Sequence, residues 1–308
     1  MRTKFFLLII NFLTYSTVMC QDIENLELML PSSNVNLHYQ QAGNGNHTFL
    51  LIHGLGSNSK AFKKNISPLA NKSAVIAIDL PGYGESELGD FVPGIHNYAK
   101  VISEFVELKM LHNVTLVGHS MGGQIAIQLA SEPPTTWLKK LVLLSPAGLE
   151  QFTNEDKKWF RAAVNEQLYL NLTDDQIKQN FDNNFFGGKL PEDAQFMLTE
   201  RLELKKEGEQ YRAYVSTIVK SINAMLNEPV YGKMIDIKVP IQVIYGRNDK
   251  LIPNKILHPK LNLEAILEKL KNDYPIITIE LLDDAGHFVL WDRSEAVNTL
   301  ILENSGNP

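Results

Sequence analysis

The segment Gly118-His119-Ser120-Met121-Gly122 stands where an apolar run, residues 114–117, gives way to a helical pattern over 122–131. A serine at so sharp a strand-to-helix turn has its hydroxyl pushed out from the backbone. A side chain at 118 or 122 would collide in that turn, so glycine is needed on both sides. The pentapeptide alone arises often by chance. Its place between strand and helix is what makes Ser120 a candidate nucleophile.

The rest of the chain alternates in the same way. Residues 26–41 read as two antiparallel edge strands, and 48–52, 73–80, 140–144, 239–245 and 276–282 are apolar runs. Helical periodicity runs over 95–111, 263–270 and 293–302. Continuously apolar strands separated by helices predict an α/β fold: a mostly parallel sheet with helices on both faces. The alternation stops near Ser145. Between 151 and 233 only helical patterns occur, over 155–170, 173–181, 192–206 and 209–226. This predicts an all-helical cap, residues 151–233, inserted into a core formed by 21–150 and 234–308.

A length of 308 residues with 44% hydrophobic content suits one such domain with an insertion. The net charge of −6 argues against a nucleic-acid partner. Arg2 and Lys4 precede an apolar stretch, 5–13, and then Val18-Met19-Cys20. This is the pattern of a secretory signal over residues 1–20, too short to span a membrane. Cleavage would leave Gln21 first and the protein periplasmic or secreted. The alternative is a lipoprotein anchored to a membrane through Cys20, the only cysteine. In both cases the remaining chain has no internal disulfide and relies on its core.

Acyl transfer by a serine needs a base, a carboxylate to hold the base, and donors for the oxyanion. His287, in Ala285-Gly286-His287-Phe288 after the last strand, fits the base. The other histidines fit less well: His38 and His47 lie in early strands, His96 and His112 bracket a helix, His119 should point away from Ser120, and His258 lies in a proline-flanked loop. Asp249, in Gly246-Arg247-Asn248-Asp249, fits the carboxylate. Asp283 and Asp284 are its rivals, though they share the histidine's own loop. The oxyanion donors should be the backbone N–H groups of Met121, at a helix start, and Leu55, after His53-Gly54. Asp79 with Gly82 and Gly84 reads as a tight turn at the sheet edge, not a phosphate loop. The aromatic residues Phe185, Phe186 and Phe288 are expected to line an acyl pocket, with Gly187-Gly188 as a lid hinge. This chemistry calls for no metal or cofactor. The expected partner is a small-molecule ester, and the sequence carries no signal of oligomeric state.

In these motifs taken together the chain resembles the α/β-hydrolase superfamily in its branch with a helical cap, over about residues 30–302. The resemblance rests on Leu51-Ile-His-Gly-Leu-Gly, Asp79-Leu-Pro-Gly-Tyr-Gly-Glu-Ser, Gly118-His-Ser-Met-Gly-Gly, Gly246-Arg-Asn-Asp and Ala285-Gly-His-Phe. It implies an eight-stranded sheet and the triad order Ser120, Asp249, His287. The stretch 254–274 is longer than usual, and its extra helix is expected at the cleft rim. Epoxide hydrolases and haloalkane dehalogenases of this branch carry aspartate at the elbow, so Ser120 points to attack on an acyl carbon. Carboxylesterase is the main expectation. The alternative is carbon–carbon cleavage of a vinylogous diketone: Leu144-Ser-Pro-Ala-Gly-Leu, Trp291 and Arg201 look like the hydrolases of aromatic ring-cleavage pathways, where a cap arginine meets the substrate carboxylate. Arg201 reads equally as a solvated helix arginine. A non-catalytic binding protein on this fold is the reading from a different class, disfavoured because no triad member is lost.

Overall fold

The computed structural model describes residues 22–71 and 73–303. The expected signal over 1–20, with Cys20, lies outside the described residues. The strands are β1 (Glu24–Leu30), β2 (Val35–Ala42), β3 (Thr48–Ile52), β4 (Ala74–Ile78), β5 (Val114–His119), β6 (Leu138–Leu144), β7 (Ile241–Gly246) and β8 (Thr278–Leu282). They form one eight-stranded sheet in the order β1-β2-β4-β3-β5-β6-β7-β8. Only β1 and β2 run antiparallel to their neighbours.

Side chains alternate across each strand, so successive apolar residues go to opposite faces. Leu50 and Ile52 of β3 join a core built with the helices α2 (Ile95–Leu108), α3 (Met121–Ser131) and α9 (Leu263–Asp273). Phe49 and Leu51 join the opposite core, with α1 (Lys63–Ala70), α10 (Val289–Asp292) and α11 (Ser294–Glu303). Both faces are thereby covered, which is why the central strands are apolar throughout.

Between β6 and β7 the chain forms α4 (Asn154–Ala163), α5 (Glu166–Leu170), α6 (Asp174–Asp182), α7 (Gln195–Lys206) and α8 (Gly208–Asn227). Thr153 and Thr173 each close a capping box at the start of α4 and α6. The pattern expected as one helix over 155–170 is broken. Asn165 accepts from Leu168 N–H and starts α5 afresh. The extra helix expected at the cleft rim, α9, instead buries Leu263, Ile266, Leu267 and Leu270 against the sheet. No helix among the described residues is long and apolar enough to cross a membrane.

The strand order sets where chemistry can sit. From β3 the chain turns to β4 on one side, and from β5 it turns to β6 on the other. Ile52 of β3 lies directly beside Gly118 of β5, in parallel. The loops that follow both strands therefore leave the same end of the sheet in opposite directions, and a crevice opens between them.

Candidate active site

The elbow is as tight as its glycines require. A Cβ on Gly118 would stand 2.3 Å from the Gly122 carbonyl oxygen, and one on Gly122 would stand 2.2 Å from that of Ile52. Ser120 has φ 53° and ψ −118°, a strained backbone for a residue with a side chain. Its N–H donates to Leu144 O at 3.0 Å, while its own carbonyl accepts from Gly123, Gln124 and Ala147. These bonds hold the strained turn in place.

His287 and Asp249 are brought to Ser120 from the loops after β8 and β7. His287 Nε2 lies 2.9 Å from Ser120 Oγ, and Nδ1 lies 2.8 Å from Asp249 Oδ2. An ionised carboxylate only accepts, so Nδ1 carries the proton and Nε2 is free to accept from the serine hydroxyl. The Asp249 side chain is fully buried. Its other oxygen accepts from Leu251 and Ile252 N–H. The rival carboxylates face elsewhere. Asp283 accepts from Arg247 Nε, and Asp284 lies 3.9 Å from Arg293 Nη1.

The Leu55 and Met121 N–H groups donate to no acceptor among the described residues. A Cβ on Gly54 would meet Ser120 Cβ at 3.0 Å, so the loop that bears Leu55 passes directly against Ser120. Met121 opens α3, whose N-terminus favours negative charge. His53 holds this loop from below. Its Nε2 accepts from Leu80 N–H at 3.0 Å, which leaves Nδ1 to donate to Gly54 O at 2.8 Å.

Two buried histidines that sequence reasoning set aside support the site. His119 Nε2 donates to the His287 carbonyl at 3.0 Å, and its ring packs on those of His287 and Phe288. Burial, then the nearby His287, hold the His119 pKa well below the ordinary histidine value, so it is a neutral donor. His38 Nδ1 meets Asp79 Oδ2 at 2.8 Å. Asp79 also accepts from Ser59 and Glu85 N–H, so the tight turn read from the sequence is organised around a buried carboxylate. Burial alone would raise the Asp79 pKa. The bond from His38, the nearby His53 ring and the two N–H donors outweigh it and hold the carboxyl below its usual value.

Above Ser120 lies a cavity of about 1480 Å³, larger than the roughly 300–1,000 Å³ of an ordinary small-molecule site. Its walls include Ser120, His287 and Phe288 from the core and Phe160, Tyr169, Tyr214, Ile218 and Ile222 from the helices between β6 and β7. Phe288 is thus where the sequence placed it, but Phe185 and Phe186 are not among the lining residues. Phe185 is buried and packs on the Phe288 ring at 5.0 Å, beneath the cavity wall. Phe186 is 42% exposed, its backbone N–H bonded to Asp292. The aromatic type was legible, but the side of the chain it faces was not. Trp291 is core, its indole N–H donating to Asp193. Arg201 is not a solvated helix residue. It lines the cavity, lies over the Tyr214 ring at 4.3 Å and donates from Nη2 to Gly56 O at 2.6 Å. His258, in the loop after β7, sits between Glu150 at 2.5 Å and Asp156 at 3.4 Å, away from Ser120. No cluster of three or more metal-ligating side chains occurs among the described residues.

Residues 49–300 match the Alpha/beta hydrolase family, and the chain belongs to it. The chain is 27% identical over 282 residues to a 2-hydroxy-6-oxononadienedioate/2-hydroxy-6-oxononatrienedioate hydrolase of Burkholderia vietnamiensis, covering 88% of this chain and 91% of that one. An Escherichia coli protein of the same name is 26% identical over 283 residues, covering 89% of this chain and 92% of that one. Among solved structures, an esterase from Exiguobacterium antarcticum superposes with a TM-score of 0.76 at 20% identity, over 92% of this chain and all of the other. The protein is a hydrolase of this fold.

Proposed function

We propose that the protein hydrolyses carboxylic esters through an acyl-enzyme. Ser120 Oγ attacks the ester carbonyl carbon while His287 Nε2 takes the serine proton. Asp249 holds the imidazole in the required tautomer and stabilises the imidazolium that forms. The developing oxyanion is received by the N–H groups of Leu55 and Met121. The carbonyl re-forms, the C–O bond to the alcohol breaks, and His287 returns its proton to the leaving oxygen. Water then repeats the sequence on the acyl-serine and releases the acid.

The observation that favours a neutral ester over the anionic diketone named for the relatives is the charge of the cavity wall. Four cationic side chains, Lys60, Lys157, Arg201 and Lys233, stand beside five carboxylates, Asp79, Glu85, Glu87, Glu150 and Glu200. Lys60 is already paired with Glu200 at 2.9 Å and Arg201 is bonded to a backbone carbonyl. A wall without surplus positive charge suits a neutral substrate. The second reading, carbon–carbon hydrolysis of a ring-cleavage diketone, draws on the names of the Burkholderia and Escherichia relatives and on Arg201 in the cavity wall.

A panel of p-nitrophenyl esters of increasing acyl length, run beside a dienoic diketone, separates the two. Ester turnover with no diketone cleavage supports the first; the reverse supports the second. Labelling of Ser120 by a fluorophosphonate tests the nucleophile, and no labelling would favour a non-catalytic binder. We also propose export, on the pattern over residues 1–20. Sequencing the N-terminus of the native protein should find Gln21, whereas a lipid-blocked Cys20 would indicate anchoring.

A further inference from the structure

The oxyanion loop is held from two sides, and one side is the helical insertion. Ser57 N–H donates to Gly54 O at 3.3 Å, so residues 54–57 form a turn with Leu55 and Gly56 at its centre. Gly56, the third residue of that turn, has φ +67°, a left-handed value that glycine supplies without strain. The Leu55 N–H shares a planar peptide with the Gly54 carbonyl, so fixing one directs the other. The core does this through His53 Nδ1. The carbonyl of Gly56, two residues on, is fixed from above. It accepts from Arg201 Nη2 of α7 at 2.6 Å and from the Tyr214 hydroxyl of α8 at 3.3 Å.

The neighbouring contacts repeat this connection. Glu200, next to Arg201, takes Lys60 at 2.9 Å and Asn58 Nδ2 at 3.3 Å. Asn58 in turn caps the short helical turn Ser59–Phe62 that continues the loop. A Cβ on Gly56 would stand 3.1 Å from the Tyr214 hydroxyl and 3.4 Å from Arg201 Nη2, so the two donors close directly over the glycine. The guanidinium lies against the Tyr214 and Phe181 rings, which fix its plane. Burial pushes the Tyr214 phenol up to about 12, so the hydroxyl keeps its proton.

We propose that Arg201 and Tyr214 are positioning residues of the oxyanion hole: through the Gly56 carbonyl they hold Leu55 N–H in register with Ser120, so that the helical insertion completes the machinery for bond cleavage. The proposal rests on the serine-hydrolase reading. It assigns Arg201 to the protein's own backbone and not to a substrate carboxylate.

The test compares Arg201→Leu, Arg201→Lys and Tyr214→Phe with the full-length wild type. The readouts are the rate of fluorophosphonate labelling, and kcat and KM for p-nitrophenyl butyrate and for mono-p-nitrophenyl glutarate, which carries a carboxylate. Losing one oxyanion donor outright costs about 10²–10³ in turnover, so a loosened donor should cost Arg201→Leu about ten- to a hundred-fold. The loss should fall on kcat, be equal for the neutral and anionic esters, and recur in the labelling rate, because phosphonylation places the same charge in the same hole. Tyr214→Phe should show a smaller loss of the same kind, and Arg201→Lys a partial rescue. Loss confined to KM for the glutarate would make Arg201 a substrate ligand and overturn the proposal. So would a lowered melting temperature with labelling at the wild-type rate in the folded fraction. Absence of labelling in the wild type itself would overturn the hydrolase reading beneath it.

Discussion

At the scale of single residues the proposed triad consists of three side chains whose roles are separable by substitution. Ser120→Ala and His287→Ala should each lower kcat by about 10³-fold or more, because nucleophile and base act as a unit. Asp249→Asn should lose somewhat less, since the serine and imidazole remain in contact. Asp283→Asn should leave kcat unchanged, because Asp283 is committed to Arg247 on the surface. Steady-state ester hydrolysis checks all four. Full activity in Asp249→Asn with loss in Asp283→Asn would move the acid to the other loop. The same scale explains why His119 cannot replace His287. It adjoins Ser120 in sequence, yet the elbow turns its ring beneath His287, where it donates to a backbone carbonyl.

At the scale of elements, what was legible followed from period and order. Each core strand was an apolar run, and the order serine, aspartate, histidine identified the loops that meet. What was not legible depended on contacts across the chain. Helix α1 contains Pro68 and is only eight residues long, so its periodicity gave no pattern to find. The break between α4 and α5 did have a local signal, Asn165 as a helix cap. Phe185 and Phe186 are adjacent, so their side chains diverge, and neither was bound to face the cavity. Arg201 meets a carbonyl 145 residues earlier. No local pattern encodes that. Acyl selectivity should instead depend on Ile222 of α8, which does line the cavity. Filling that wall with Ile222→Trp should lower the preference for an ester longer by two methylenes. At about 0.8 kcal/mol per buried methylene, a change of roughly tenfold in the kcat/KM ratio is expected. Phe186→Ala should leave the ratio as it is. A change with Phe186→Ala and none with Ile222→Trp would place the acyl chain against the wrong wall.

At the scale of the whole molecule, the buried carboxylate of Asp79 joins parts that are far apart in sequence. It bonds His38 of β2, the Ser59 N–H at the end of the loop after β3, and the Glu85 N–H of the loop after β4. His38 N–H donates to the Ser86 hydroxyl, which donates to Asp79 O, so backbone and side chain close one network. The bond from Asp79 raises the His38 pKa against its burial, while Asp79 itself is held low. The two shifts act on opposite sides of pH. A histidine whose pKa is raised on folding stabilises fully below its unfolded value, about 6.5, and loses that contribution as pH rises through the folded value. A carboxylate whose pKa is lowered stabilises fully above its unfolded value, about 3.9, and loses it as pH falls through the folded value. The pair should therefore contribute most between about pH 4 and 6.5 and less on either side. Removing one partner of a buried pair costs about 3–5 kcal/mol. Asp79→Ala should accordingly lower the melting temperature by roughly 10 °C in a chain of this size. Asp79→Asn keeps the shape and removes the charge, so its stability difference from the wild type should trace the same pH window. Denaturant unfolding of both proteins from about pH 4 to 9 measures that difference. A gap that stays constant across the range would show that Asp79 serves by its shape and N–H acceptors, with no contribution from its charge on His38.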